Sequence, residues 1–455
     1  MQSQVKYSVH EDEFIIENYN HAKPFASFFP GVSGIWGKPL WVFYTNRAQA
    51  VSCFGTKDKD GAMLEFDAAN KAYRKTSLQG FRTFIKHGNE IYEPFKNAPK
   101  NKQRGLLQRM HISSSMLKLV EINKKIGLEI TVEYFTLPNE CFPALARRLY
   151  VKNISKDIKN IELIDGLPMI IPYGTNNFLL KNISRLAEGW YNGVFFTKKY
   201  KVPVYKLPVE PLDRPEVIPI KSGNFYAGFY NKNNEIQFPE FIIDSDTVFG
   251  HAKDFSYPYE FIKKDNFIIN PNLTGKNKTP SAMGCIKTEI KQDETLTYNS
   301  LFGNSYNAEH IDSLITIVLQ KDYFDNKEIE NKNLINTICN NAVTKSSSDR
   351  FDNYCRQNYL DNLLRGGYPV TLGTKSTQKN YYTYSRIHGD MEREYNNFII
   401  MPEYFSQGSG NYRDINQNRR NDVFFNPNIK DEQIIMFMNL IQTDGFNPLK
   451  ILGVK

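Results

Sequence analysis

Leu128-Glu129-Ile130-Thr131-Val132-Glu133-Tyr134-Phe135 alternates apolar and polar side chains over eight positions. Successive side chains of a strand point to opposite faces, so this is the pattern of a half-buried β-strand. Working outward, Arg147 to Val151, Ile161 to Ile164 and Met169 to Ile171 repeat the theme. Between them Asn153-Ile154-Ser155-Lys156-Asp157 and Asp165-Gly166-Leu167-Pro168 carry turn chemistry. Phe225 to Tyr230, Phe241 to Ile243 and Glu294 to Tyr298 continue the series. Many short strands with Gly and Pro between them predict a large antiparallel β-sandwich over residues 1–305.

The pattern changes near residue 308. Ile311, Leu314, Ile315, Val318 and Leu319 fall at i, i+3, i+4, i+7 and i+8, one face of a helix. Asp325 and Glu328 read as a capping box ahead of a second helix carrying Ile329, Leu334, Ile335 and Ile338. After the polar run Ser346-Ser347-Ser348-Asp349, a third helix places Phe351, Tyr354, Cys355 and Tyr359 on one face and stops at Gly366-Gly367. Ile434, Ile435, Phe437, Met438 and Ile441 form a last amphipathic helix. The chain therefore reads as a β part (1–305), a helical linker (306–345) and a helical segment (346–455).

Composition narrows the function classes. Hydrophobic residues make up 41% and charged residues 23%, which excludes a membrane protein and wholesale disorder. The net charge of +8 is spread along the chain and forms no basic stripe, so nucleic acid is not expected as a partner. Cys53, Cys141, Cys285, Cys339 and Cys355 are odd in number and form no C-x-x-C pair, which predicts reduced thiols and no structural metal. The stretch Met1-Gln2-Ser3-Gln4-Val5-Lys6 leads into no apolar run, so no signal peptide is expected and a cytoplasmic location follows. The sequons at Asn153, Asn182, Asn272 and Asn277 are then incidental. Aromatic residues reach 14%, with 32 Phe and 27 Tyr. Flat apolar faces beside abundant amides suit a sugar.

The densest polar cluster runs from Tyr384 to Asp422. His388 and Asp390 are two potential metal ligands, too few for a site, and Gly408-x-Gly410 lacks the remainder of a nucleotide loop. Glu392 with Glu394, and Asp414 with Asp422, are carboxylate pairs of the kind glycoside chemistry uses.

Gly410-Asn411-Tyr412-Arg413-Asp414-Ile415-Asn416-Gln417, following a sandwich and a helical linker, resembles glycoside hydrolase family ninety-four and its relatives, the cellobiose and 1,2-β-oligoglucan phosphorylases. Asn46-Arg47, Phe54-Gly55, Asn70-Lys71-Ala72-Tyr73 and Gly80-Phe81-Arg82-Thr83-Phe84 resemble their sandwich domain, and Tyr354-Cys355-Arg356-Gln357 through Arg365-Gly366-Gly367 the entry to their (α/α)6 barrel. The resemblance implies that Asp414 hydrogen-bonds the donor sugar, with Arg413, Asn416 and Gln417 around it. Gly408 stands where cellobiose phosphorylases carry an Arg on that sugar, which leans toward another β-glucan linkage. The implied reaction is inverting phosphorolysis of a β-linked glucoside or oligoglucan to sugar 1-phosphate. Inorganic phosphate is the co-substrate and no cofactor is used.

Relatives place the general-acid Asp further along the barrel, in an Asp-Trp-Asn-Asp sequence not found here, so no catalytic residue is expected in this chain. Twelve helices need roughly 200 residues at about 12 per helix and 5 per connection, against the 110 residues of 346–455. The barrel is therefore expected to be incomplete, with a second chain completing it or a homodimer as partner. Two other outcomes follow from the same residues: a non-catalytic carbohydrate-binding β-sandwich, with Trp36, Trp41 or Trp190 stacking on sugar, or an (α/α)6-barrel hydrolase. An unfinished barrel also leaves apolar helix faces uncovered, which predicts aggregation or a partner.

Overall fold

The computed structural model describes residues 4–88, 90–97, 105–232, 235–263, 267–374, 377–395 and 397–453. Met1 to Ser3, Asn396 of the polar cluster, and Val454 and Lys455 lie outside the described residues. The chain is mostly β, with a large antiparallel sheet and several helices. The helices are α1 (Ala69–Gln79), α2 (Asp246–Phe249), α3 (Tyr259–Lys263), α4 (Ile311–Val318), α5 (Tyr323–Cys339), α6 (Asp349–Gly366), α7 (Tyr412–Arg419), α8 (Asp422–Phe425) and α9 (Glu432–Asn439).

The 11-stranded sheet has the Leu117–Asn123, Leu128–Thr136, Ala144–Asn153, Thr295–Ser305 and Gly223–Lys232 strands at its centre, in that order. Leu128, Ile130, Val132 and Tyr134 all enter one core, as the alternation requires, while Phe135 turns to the other face. That core also takes Ile85, Leu163 and Ile286 from a 5-stranded sheet and Val42 and Phe54 from a 4-stranded one. Arg147 of the large sheet and Asp165 of the 5-stranded sheet form a fully buried ion pair across the layers, held by Thr83 and Gln49. On the opposite face, Phe135, Ala146, Phe225 and Leu301 pack against Ile311, Leu314, Ile315 and Val318 of α4. Periodicity and burial agree at all four helical positions.

Several local expectations are corrected. Asp165, Gly166 and Leu167 do not turn; they finish the Lys159–Leu167 strand, because Arg147 takes the carboxylate that a turn would have used. Met169 to Ile171 is extended but belongs to no strand, although the Ile170 and Ile171 N–H groups donate to Pro280 and Met63 carbonyls. Asp325 and Glu328 form no capping box: both accept from Arg148, which fastens α5 to the large sheet. In α6, Ser348 caps Phe351 N–H, but the buried face is Leu360, Leu363 and Leu364, and Phe351 and Tyr354 are exposed.

Helix α1 was not anticipated. Neither was the hairpin of Tyr368–Leu372 with Lys379–Thr383, whose aromatic and β-branched residues favour a pleated pair within the segment expected to be helical. Between Thr383 and Gly410 the chain runs largely as loop and returns to the 4-stranded sheet, where Met391, Phe398 and Ile400 bury Trp41, Phe43 and Phe66. The face of α9 at Ile434, Ile435 and Met438 is exposed. No helix among the described residues is long and apolar enough to cross a membrane.

Candidate functional site

Gly410-Asn411 pairs with Lys450-Ile451 and feeds directly into α7. A Cβ on Gly410 would meet Ile415 Cδ1 at 2.6 Å, so a larger residue here would have to push the Ile415 side chain aside. Asp414 is the third residue of α7, where a carboxylate is favoured by the helix dipole. Its side chain is 15% exposed, accepts from Asn411 Nδ2 at 3.1 Å and pairs with Arg413 at 3.4 Å. Arg413 and Gln417 point outward, and Asn416 is half-buried. None of these four residues lines a cavity described here.

One turn further along, the same helix does reach a cavity. Asn418 Nδ2 donates to the Asp414 carbonyl at 2.6 Å and lines a hollow of about 530 Å³ between α6, α7 and α8. Arg420 and Asn421 keep right-handed helical angles, so Asp414, Asn418 and Asp422 follow one another at i, i+4 and i+8. Helix α6 supplies Asn358 and Asn362 from successive turns, and the Tyr359 ring meets Phe425 edge-on at 4.9 Å.

Asp422 is the acidic group of this hollow. One of its carboxylate oxygens, Oδ2, is buried without a hydrogen-bond partner. Burial pushes the carboxyl up to about 7, against the pull of the Arg419 charge and a hydrogen bond from Tyr382. Tyr382 in turn accepts from Gln433 Nε2 at 2.7 Å. Arg419 is buried, donates to the Gly366 carbonyl at 2.6 Å and lies 3.6 Å over the Tyr382 ring; desolvation draws its pKa down to about 10. A carboxyl protonated near neutrality, set among amides and aromatic rings, can give a proton to an ether oxygen. Asp414 and Asp422 are about 12 Å apart by helical rise, wider than the separation an inverting hydrolase uses around its water.

The other polar candidates have different partners. His388 is buried against Phe28, and burial with Arg365 nearby lowers its pKa to about 4, so it is neutral. Glu394 accepts from Ala68 N–H and pairs with Lys71 and Lys181, whereas Glu392 pairs with Arg393; the structure does not bring these two carboxylates to a common partner. Trp41 is buried, while Trp36 and Trp190 are exposed. Among the described residues no group of three or more His, Cys, Asp and Glu could hold a metal. Sequence reasoning missed Asn358, Asn362 and Tyr382. The i, i+4 spacing of the two asparagines was a visible signal, but their partners lie some sixty residues away along the chain.

No family model matches the sequence, and no curated protein matches it. Among solved structures, the chain is similar to a bacterial glucoamylase complexed with acarbose, at 11% identity and a TM-score of 0.42 over 99% of this chain. It is similar to a putative kojibiose phosphorylase from the human microbiome at 9% identity and a TM-score of 0.30 over 82% of this chain. A putative aldose 1-epimerase from Klebsiella pneumoniae aligns at 8% identity and a TM-score of 0.27, over 66% of this chain and 86% of that one. The chain spans 55% of the glucoamylase and 40% of the phosphorylase.

Proposed function

We propose that this chain binds a β-linked glucoside or oligoglucan in the α6–α8 hollow as part of a glycoside-acting enzyme, and that the reaction is inverting phosphorolysis to sugar 1-phosphate. The observation that supports this is the combination at the hollow: asparagine amides, aromatic rings and one carboxyl whose buried Oδ2 has no partner. Asn358, Asn362, Asn418 and Asn421 offer donors and acceptors to sugar hydroxyls, and Tyr359 and Phe425 offer apolar surface to the ring. A saccharide extending past Asn418 meets Asp414, one turn away, with Arg413, Asn416 and Gln417 beside it. In the step itself, the Asp422 proton goes to the glycosidic oxygen, a phosphate oxygen attacks the anomeric carbon from the opposite face, and the C–O bond to the leaving sugar breaks. Phosphate is already anionic, so one carboxyl suffices. This places the proton donor within the chain, unlike the expectation drawn from the family resemblance.

The test is calorimetric titration with β-1,2-, β-1,3- and β-1,4-linked glucotrioses, followed by assay of sugar 1-phosphate. One linkage is expected to bind, Asn418→Ala and Asn362→Ala to weaken it several-fold, and Asp422→Asn to retain binding while abolishing phosphate-dependent release. Absence of binding at about 10 mM, weaker than any useful substrate affinity, or release of free sugar without phosphate, overturns the reading.

A further inference from the structure

A larger cavity, about 840 Å³, lies elsewhere, among the turn after the Val51–Thr56 strand, the loop at Tyr173 to Asn176, the 210–222 loop and the end of the Thr295–Ser305 strand. Its charged lining is balanced: Lys38, Lys57 and Arg214 against Asp58, Asp60 and Glu210. A second hollow of about 390 Å³ shares Glu210, Pro211 and Leu212 with it and is also lined by Trp190. Those three residues form a wall that the two hollows have in common.

Exposed rings stand at both hollows. Trp36 is 60% exposed and meets Tyr404 and Phe405 edge-on at 6.2 and 5.4 Å. The Lys38 ammonium lies 5.4 Å from the centre of the Tyr306 ring and 5.6 Å from that of Tyr404, which are 62% and 44% exposed. Two segments distant in sequence thus put exposed rings over one lysine, Trp36 extends that group through Tyr404, and Trp190, 47% exposed, lines the second hollow. Scattered surface aromatics need no explanation, but rings grouped beside a polar groove do. Their faces match the C–H faces of pyranose rings, while a lining with equal numbers of acids and bases matches hydroxyls and disfavours a ligand of net charge.

We propose that these two hollows act as one groove that binds a neutral oligosaccharide chain passing over Glu210 to Leu212, with Trp36, Tyr306 and Tyr404 as one stacking platform and Trp190 as the other, separate from the α6–α8 hollow. The chain has 3 Trp, and the third, Trp41, is buried, so tryptophan fluorescence reports on the two ends of the groove. The full chain is titrated with β-1,2-, β-1,3- and β-1,4-linked glucohexaoses, with a sulfated heparin hexasaccharide as the anionic comparison.

A neutral hexaose is expected to change the emission saturably and heparin not to. Trp36→Ala and Trp190→Ala should each raise the Kd by about tenfold, the loss of one good stacking contact. Asn418→Ala, which weakens binding in the hollow, should leave this response intact, which separates the groove from the hollow. Circular dichroism matching the parent shows that the variants fold. No response to any neutral hexaose, an unchanged Kd in both Trp variants, or a response lost only in Asn418→Ala overturns the proposal.

Discussion

Glu121 sits on the Leu117–Asn123 strand, fully buried, with one oxygen accepting from Tyr92 and the other from Phe95 N–H and Gln108 Nε2, both at 2.7 Å. Burial lifts its carboxyl from 4.5 to about 7, outweighing those hydrogen bonds. A carboxyl whose folded pKa is raised contributes stability that is complete below the unfolded pKa and is lost as pH rises through the folded one. Between pH 5 and 8 the loss integrates to roughly 2–3 kcal/mol, from about 1.4 kcal/mol per pKa unit. Glu121→Gln removes this titration. The new carbonyl can keep Phe95 and Gln108, and the new amide can donate to the Tyr92 hydroxyl, which also accepts. Urea unfolding followed by β-sheet circular dichroism should therefore show the variant close to the parent at pH 5 and more stable by roughly 2–3 kcal/mol, relative to that, at pH 8. Other titrating groups are common to both proteins and cancel. A difference between the two proteins that does not change from pH 5 to pH 8 refutes the reasoning.

Arg147→Ala leaves Asp165 charged or strained in the core and should cost about 3–5 kcal/mol, whereas Arg147→Met combined with Asp165→Leu should recover most of it in the same urea assay. Gly166 has φ of +136°, and a Cβ there would lie 2.2 Å from the Ala282 carbonyl oxygen. That oxygen belongs to the paired strand, so Gly166→Ala should destabilise by about 2 kcal/mol or more, read as a lowered urea midpoint.

Where one strand or helix buries one face, its residues declared it: Leu128, Ile130, Val132 and Tyr134, and again Ile311, Leu314, Ile315 and Val318, did so through spacing alone. Illegible features depend on partners remote in sequence. Asp165 and Gly166 carry turn chemistry, yet a buried arginine on another sheet makes them strand. Asp325 and Glu328 have the spacing of a cap, but Arg148 recruits both. Gly366-Gly367 correctly ended α6, although the hairpin after it was hidden behind Pro369, which reads as loop. In the candidate site Asp422 was visible as a carboxylate, but its character comes from Arg419, Tyr382 and the walls of α6 and α8, which only the fold assembles. Trp36 and Trp190 were visible as possible platforms; the two hollows that share Glu210, Pro211 and Leu212 were not.

The way Met391, Phe398 and Ile400 cover Trp41, Phe43 and Phe66 has a thermodynamic consequence. Two stretches separated by more than three hundred positions close a single dry interior, so neither can open without wetting the other. Amide exchange at Val42 to Tyr44 and at Ile400 should then report one shared opening event. The cooperative unit here is stitched from opposite regions of the sequence, and severing it at residue 305 would lay indole and phenyl surface bare.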